Sequence, residues 1–594
     1  MSSTRQRGRH HVRWYRKITP GHVVILGMAV VLLFLVYFGI QAARASSSLK
    51  LAASQAEVLQ SQIVSGDDVS AKATLKELQE STARADQITG GGMWKLGAKL
   101  PFFGDNVEAV QTVARVTHNI STDALPPVVE LSNKINLNTY SPRGGKVDIK
   151  AIEEISPNVG KVVTALTAAR KELRGIDANS LLLPLRDPVS TIQEKVGSAT
   201  AAADSANLAA KLLPDMLGQK GTRRYLLMVQ NNAEIRSTGG IPGSIAILKA
   251  KNGKLSMGFQ GSYQDLKQFT KPVLPMTRNE DRVFPPTLVT NLLDTTITPD
   301  FPRTAEIVTA MVEKGLDTKV DGVISVDPVA LSYVLAGTGP VALTKTAIID
   351  QNNAVELLLS QTYLLLKDPE QQDGVFELAA RKIFDVVKAG RGEPRLVIDG
   401  LVRSARENRL MVWSTHKSEQ ALLTPSALSG QLSGNGGRVP HVGLYIGDAA
   451  STKMEYYLDY STSLAVGRCL RGDVQELTTT TDLSSRAPEK LPKSVTGDGK
   501  YTPRGTMRLL LRFYSPYAGG FTSVKVDGKD QTVYADTHRG RNVTKVLLTV
   551  HPHQSYKITT SMISGPGEDG DPVFSTTPGV DPTPNDIEVK SACS

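Results

Sequence analysis

Cysteine is scarce: the 594-residue chain carries only Cys469 and Cys593. Two cysteines so far apart make no CxxC pair, which excludes zinc-finger and thioredoxin-type sites. The HExxH helix of zinc hydrolases and the GxSxG elbow of serine hydrolases are also missing. Aromatic residues make up 5% of the chain, and no aromatic RNA-binding signature accompanies the basic ones. The net charge is +10, but much of the excess sits in the first twenty residues, where RQRGRHHVRWYRK holds Arg5, Arg7, Arg9, Arg13, Arg16 and Lys17. Anionic lipid is the natural partner of such a tail, and no nucleic-acid partner is expected. The pair His551 and His553, and the tripeptide Arg471-Gly472-Asp473, read as surface turns.

Long apolar runs are missing too, with one exception. VVILGMAVVLLFLVYFGI, Val23 to Ile40, continues uncharged to Ala43 and is long enough to cross a bilayer. The basic flank before it predicts a cytoplasmic N-terminus, with the bulk of the chain outside the cell. QAARASSS offers small residues for cleavage, so a signal peptide is the alternative to a retained anchor. On the outer side an oxidising environment allows Cys469 and Cys593 to pair, although two free thiols fit as well.

The fold class expected is multidomain α/β. A basic cytoplasmic tail (1–21) precedes a transmembrane helix (22–43), and apolar three-and-four spacing then predicts a helical bundle or stalk over 44–220. Within it, WKLGAKLPFFG reads as a buried inter-helix loop or as a segment that packs against a partner or near the membrane surface. Buried strands YLLMVQ and GVISVD, a hairpin turning at Asn252 and Gly253, and helices between them predict a layered α/β domain over 221–428. Asp300, Pro302 and Gly315 punctuate one of these helices, and Asp327, Pro328 and Gly337 the next. A Gly-rich linker (429–439) leads to a β-rich domain (440–594), read as an antiparallel sandwich.

The most polar turn in the α/β region is QNNAEIRSTGGIPGS, Gln230 to Ser244. Gly239, Gly240 and Gly243 would let backbone amides approach an anion, Arg236 would supply a fork for phosphate oxygens, and Asn231, Asn232, Glu234 and Thr238 add hydrogen-bonding groups. The alternative is a structural turn held by Arg236 paired with Glu234 or Asp300. Asp294 and Asp300 supply carboxylates for a magnesium ion beside a phosphate, while helix capping alone accounts more simply for Asp300.

QNNAEIRSTGGIPGS, followed by TPDFPRTAEIV and VDGVISVDPVALSYVLAGTGPV, resembles the bacterial family called domain of unknown function 4012. The order of span, arginine-bearing strand, hairpin and helix also looks like the LytR-CpsA-Psr enzymes of Gram-positive envelopes. That second resemblance implies transfer of a glycopolymer from a polyprenyl-pyrophosphate carrier to peptidoglycan, with Arg236 and Arg381 gripping the pyrophosphate beside a divalent metal. Thr238 and Gly239 stand where a carboxylate would follow the first arginine, and GSYQD stands in place of a second arginine motif. Three functions are therefore expected in competition: an envelope protein binding a cell-wall glycopolymer, lipid-linked sugar or envelope partner; an active phosphotransferase; or a structural, adhesive surface protein.

Overall fold

The computed structural model describes residues 20–101, 103–132, 144–582 and 587–593, with side chains from residue 36 onward except at 64, 131 and 132. The basic tail lies outside the described residues. Helix α1 (Pro20–Ser65) runs through the apolar segment; among the described residues no helix is long and apolar enough to cross a membrane. The chain divides into two compact units, Met1–Asn136 with Ile155–Asn207, and Leu137–Glu154 with Leu208–Ser594.

The first unit is helical. After α1 come α2 (Asp68–Thr89), α3 (Gly92–Gly97), α4 (Gly104–Asn119) and, beyond a π turn at Ile120–Ala124, α5 (Leu125–Ser132). Helices α6 (Ile149–Arg174) and α7 (Leu183–Met216) follow. Asp67 caps α2 by accepting the Ser70 amide. Ala45, Ala52, Ala71 and Ala85 are fully or almost fully buried, and such small side chains let helix backbones approach closely. Leu59 of α1, Leu75 and Leu78 of α2 and Val129 of α5 form one apolar seam. Val116, Leu173 and Val196 join α4, α6 and α7 in another.

The second unit begins with a mixed sheet. Strands β1 (Arg223–Asn231), β2 (Ile241–Lys251) and β3 (Lys254–Ser262) form an antiparallel meander. The β2–β3 turn falls at Asn252 and Gly253 as expected, with φ of 49° and 79°. A Cβ at Gly253 would stand 2.2 Å from the Val147 carbonyl oxygen, so glycine is required there for space as well as for conformation. Helix α8 (Phe301–Leu316) carries the chain to β4 (Gly322–Val326), which pairs parallel with β1. Helix α9 (Pro328–Thr338) follows, then a short hairpin of β5 (Val341–Ala342) and β6 (Ile348–Ile349). Beyond α10 (Pro369–Lys388) and α11 (Pro394–Arg406), β7 (Met411–Ser414) closes the order β3-β2-β1-β4-β7.

Two helix stops differ from expectation. Helix α8 ends at Asp317, left-handed at φ 47°, rather than at Gly315, which packs against Leu266 instead. Helix α9 ends at Gly339, φ 74°, rather than Gly337. Gly337 serves close packing: a Cβ on it would fall 2.4 Å from the Val397 amide of α11. Asp327 caps α9 through the Ala330 amide at 2.7 Å. Asp300 precedes α8 but makes no such side-chain bond.

The remainder is a sandwich. One sheet has the order β13-β12-β16-β10-β9, the other β14-β15-β11-β8-β17-β18. Their strands are β8 (His441–Asp448), β9 (Leu458–Leu470), β10 (Val474–Ser485), β11 (Met507–Tyr517), β12 (Gly520–Val526), β13 (Lys529–Asp530), β14 (Ala535–His538), β15 (Arg541–Val550), β16 (Ser555–Ile563), β17 (Val573–Thr576) and β18 (Ile587–Glu588). Pairing is antiparallel except between β8 and β17. Val334 and Leu335 of α9 and Phe376 of α10 share one buried core with Leu444, Leu477, Leu511 and Ile558 of the sandwich. The Gly-rich stretch between the layers is laid down on α8: Phe301 donates to the Gly430 carbonyl, and the Leu432 amide donates to Asp300. Cys469 of β9 and Cys593 form a disulfide, with Cα atoms 5.0 Å apart.

Candidate functional site

The turn between β1 and β2 is closed by its own atoms. A register shift after Val229 lets Gln230 fold its side chain over the loop, where Oε1 accepts from Thr238 Oγ1 at 3.2 Å and from the Gly240 amide at 2.9 Å. The Gly239 amide donates to the Arg236 carbonyl, and Ile241 to Glu234. A Cβ at Gly240 would come within 2.1 Å of the Asn231 carbonyl oxygen. Gly239 and Gly240 therefore serve the turn's tightness, and their amides are engaged within it rather than directed at an anion. The Arg236–Glu234 pair that the structural alternative named is present.

Arg236 turns inward and is only 6% exposed. Its Nη2 donates to Glu234 at 2.9 Å and its Nη1 to the Ile235 carbonyl at 3.0 Å. Asp294 and Asp448 lie 3.8 and 3.9 Å away. Glu234 also pairs with Lys453. Burial works against the charge on Glu234, but Lys453 and Arg236 together hold its carboxyl below the usual range. Burial pushes the Asp448 carboxyl up to about 6, against the opposing pull of Arg236. Glu455 is 1% exposed, and among the described residues neither of its carboxylate oxygens has a hydrogen-bond partner. Burial, reinforced by Asp448 and Glu234, lifts it well above the ordinary carboxylate range. A buried, unpaired carboxyl takes up a proton in preference to carrying charge.

The other predicted residues are dispersed. Asn231 Nδ2 donates to the Tyr363 hydroxyl. Asn232 donates to Asp327 at 3.0 Å and to the Pro578 carbonyl at 3.2 Å. Asp300 pairs with Arg539 at 2.6 Å, not with Arg236. Asp294 accepts from Asn291 as well as facing Arg236. Thus Asp294 and Asp300 serve separate partners, and no group of three or more His, Cys, Asp or Glu positioned for a metal occurs among the described residues. Arg381 is exposed on α10 and donates to Gln260 of β3 at 2.5 Å; it shares no partner with Arg236.

Asp448, Lys453, Glu455 and Arg512 were not anticipated. Their only sequence signal is charge embedded in apolar segments such as KMEYYL and MRLLLRFY. Arg512 is buried, stands over the Phe284 ring at 5.5 Å, and is lowered by burial to about 10. The loop is fixed to the sandwich through backbone as well. Asp448 donates its amide to the Ile235 carbonyl, Glu455 to Ala233, and Thr577 Oγ1 to Ser237. Nearby, Arg409 at 1% exposure bonds Asp327 at 2.8 Å, Glu407 at 2.7 Å and the carbonyls of Gly579 and Asp581.

A cavity of about 700 Å³ opens in the sandwich, away from Arg236. Tyr460 and Tyr556 line it together with Asp459, Asp482, Asp527 and Asp581. Ser461, Thr462, Ser484 and Ser555 add hydroxyls, and among the described residues Lys557 is the one cation lining it, bonded to Asp482 at 3.3 Å. Arg486 bridges Asp459 at 2.7 Å and Asp581 at 3.0 Å. Burial, with Asp459 adding to it, raises the Asp581 carboxyl above its ordinary range.

No curated protein and no solved structure matches the chain. Residues 220–363, which hold the Arg236 turn, β1 to β6 and helices α8 and α9, match the family model described as Protein of unknown function (DUF4012), so this part of the chain is a domain of that family.

Proposed function

We propose that the chain is a membrane-anchored, extracytoplasmic envelope protein that binds a saccharide of a surface polymer without transforming it. The observation that carries this reading is the sandwich cavity. Its hydroxyls and carboxylates suit the many donors and acceptors of a sugar, and two tyrosines supply amphipathic surface. Four aspartates line the cavity against Lys557 and the neighbouring Arg486, an acidic balance that disfavours a phosphate-bearing ligand. Support for a non-enzymatic role comes from Arg236, whose two terminal nitrogens already donate to Glu234 and the Ile235 carbonyl. A pyrophosphate would have to displace those partners and enter a buried site. The apolar run before Ala43 supplies the anchor, with the basic tail held at the cytoplasmic face.

The test is binding by the full chain in detergent, measured calorimetrically, with neutral oligosaccharides in one arm and geranylgeranyl pyrophosphate with magnesium in the other. Saccharide binding that Asp482→Ala weakens about tenfold or more is expected, since a hydrogen bond to a charged group contributes about 1.5–3 kcal/mol. Magnesium-dependent pyrophosphate binding lost in Arg236→Lys would instead establish the transferase reading. That substitution keeps the charge and removes the fork.

A further inference from the structure

The first unit exposes apolar side chains where a folded bundle would ordinarily hide them. Leu96, Leu100 and Phe103, in and just after α3, are 58%, 44% and 56% exposed, and Val36, Tyr37 and Ile40 of α1 are 55%, 49% and 47% exposed. The two groups are neighbours. Trp94 of α3 is buried against Phe38 of α1, their rings 4.8 Å apart, and a Cβ on Gly97 would lie 3.2 Å from the Phe38 ring. Leu182 and Leu183, 50% and 75% exposed, join them, because the Leu182 amide is held by Asn106 at the start of α4 at 2.7 Å.

We infer that this collar is inserted in the outer leaflet of the bilayer, so that the bundle sits in the lipid interface rather than standing clear of it on a stalk. The inference rests on the anchor reading above. Phe38 lies five residues before Ala43, the last residue of the uncharged run, which at 1.5 Å per residue is about 7–8 Å along the helix. Whatever packs beside Phe38 therefore shares the depth of the last turns of the span. Interfacial elements bury their apolar faces about 5–10 Å into the headgroup and acyl boundary. Lys95 and Lys99 flank the apolar residues in WKLGAKLPFFG, where long basic side chains reach headgroup phosphates while their stems stay in the apolar zone. Trp94 fixes the segment against α1, so the collar has a rigid base. The sequence left WKLGAKLPFFG open between a buried loop and a membrane-facing segment; the structure divides it, with Trp94 and Gly97 inward and Leu96, Leu100 and Phe103 outward.

The experiment places a nitroxide on the full chain, through Leu100→Cys in one sample and Val69→Cys in another, in nanodiscs of phosphatidylcholine and phosphatidylglycerol loaded at one copy per disc. Val69 is 76% exposed at the start of α2, just past the end of α1 at Ser65, which lies roughly 40 Å from Phe38 along that helix at 1.5 Å per residue. The Leu100 label is expected to be accessible to oxygen and shielded from a water-soluble nickel reagent, and the Val69 label the reverse. Equal access of the nickel reagent to both labels, in discs that retain the chain, overturns the collar while leaving the anchor intact. Shielding seen only when discs hold two copies overturns it in favour of a self-association face. Failure of the chain to enter discs overturns the anchor reading and the collar with it.

Discussion

Glu455 is a carboxylic acid with no counter-ion of its own, set 1% exposed beside Asp448 and the Arg236–Glu234–Lys453 cluster. Its folded pKa lies well above the ordinary 4.5, so the folded chain retains a proton that the unfolded chain releases. Stability attributable to Glu455 is therefore complete below about pH 4.5 and falls as pH rises toward the elevated pKa. Asp448, raised to about 6, acts in the same direction between about pH 4 and 6. Glu234, held low, acts in the opposite one: its contribution is present above pH 4.5 and lost on acidification. Glu455→Gln removes the first of these terms alone. The variant is expected to exceed the parent at pH 8 by roughly 1–3 kcal/mol, the desolvation cost of an unsatisfied buried group, with the gap closing near pH 4. Urea unfolding at several pH values measures this; parallel profiles for the two proteins would remove the buried proton.

At the scale of elements, Arg409 at the junction of α11 and β7 fastens the segment at Pro578–Asp581 to the sheet. It bonds Asp327, the cap of α9, and two carbonyls of that segment. Arg409→Met leaves Asp327 buried without its cation, while Glu407 keeps Arg403 at 2.8 Å, and breaking a buried pair in this way costs about 3–5 kcal/mol. The expected outcome is lower denaturant stability and faster proteolysis near Asp581; a loss below 1 kcal/mol would show that Asn232 carries the fastening instead. The helices and strands around this junction were readable because each carries its own local pattern: Asp327-Pro328 begins α9, and Asn252-Gly253 turns the hairpin. The glycine stops were misplaced because Gly315 and Gly337 are needed for close packing against Leu266 and Val397, a demand set by residues distant in sequence. Arg512 was unreadable for a related reason. Its position on β11 would face solvent in an isolated sandwich, and it is covered here by Phe284.

For the molecule as a whole, the sequence indicated an α/β layer followed by a sandwich but not their shared core. Val229 and Ile235 of the β1–β2 region sit in the same cluster as Leu444 and Leu511, which periodicity along one strand cannot reveal. The Arg236 turn stands out in the sequence by its polarity. Its partners Asp448, Lys453 and Glu455 lie more than 200 residues onward, so its engagement with the sandwich could not be seen from the turn alone. The disulfide closes a loop between positions 124 apart, and loops of that size gain about 2–5 kcal/mol from cross-linking. Reduction should lower the unfolding midpoint by a corresponding amount; an unchanged midpoint would mean that β18 and its neighbours hold without it. The same bond has a further consequence for how damage to the protein is detected. A protease that cuts once between Cys469 and Cys593 releases nothing, because both fragments remain covalently joined; nicked and intact chains migrate as one species until a reductant is added.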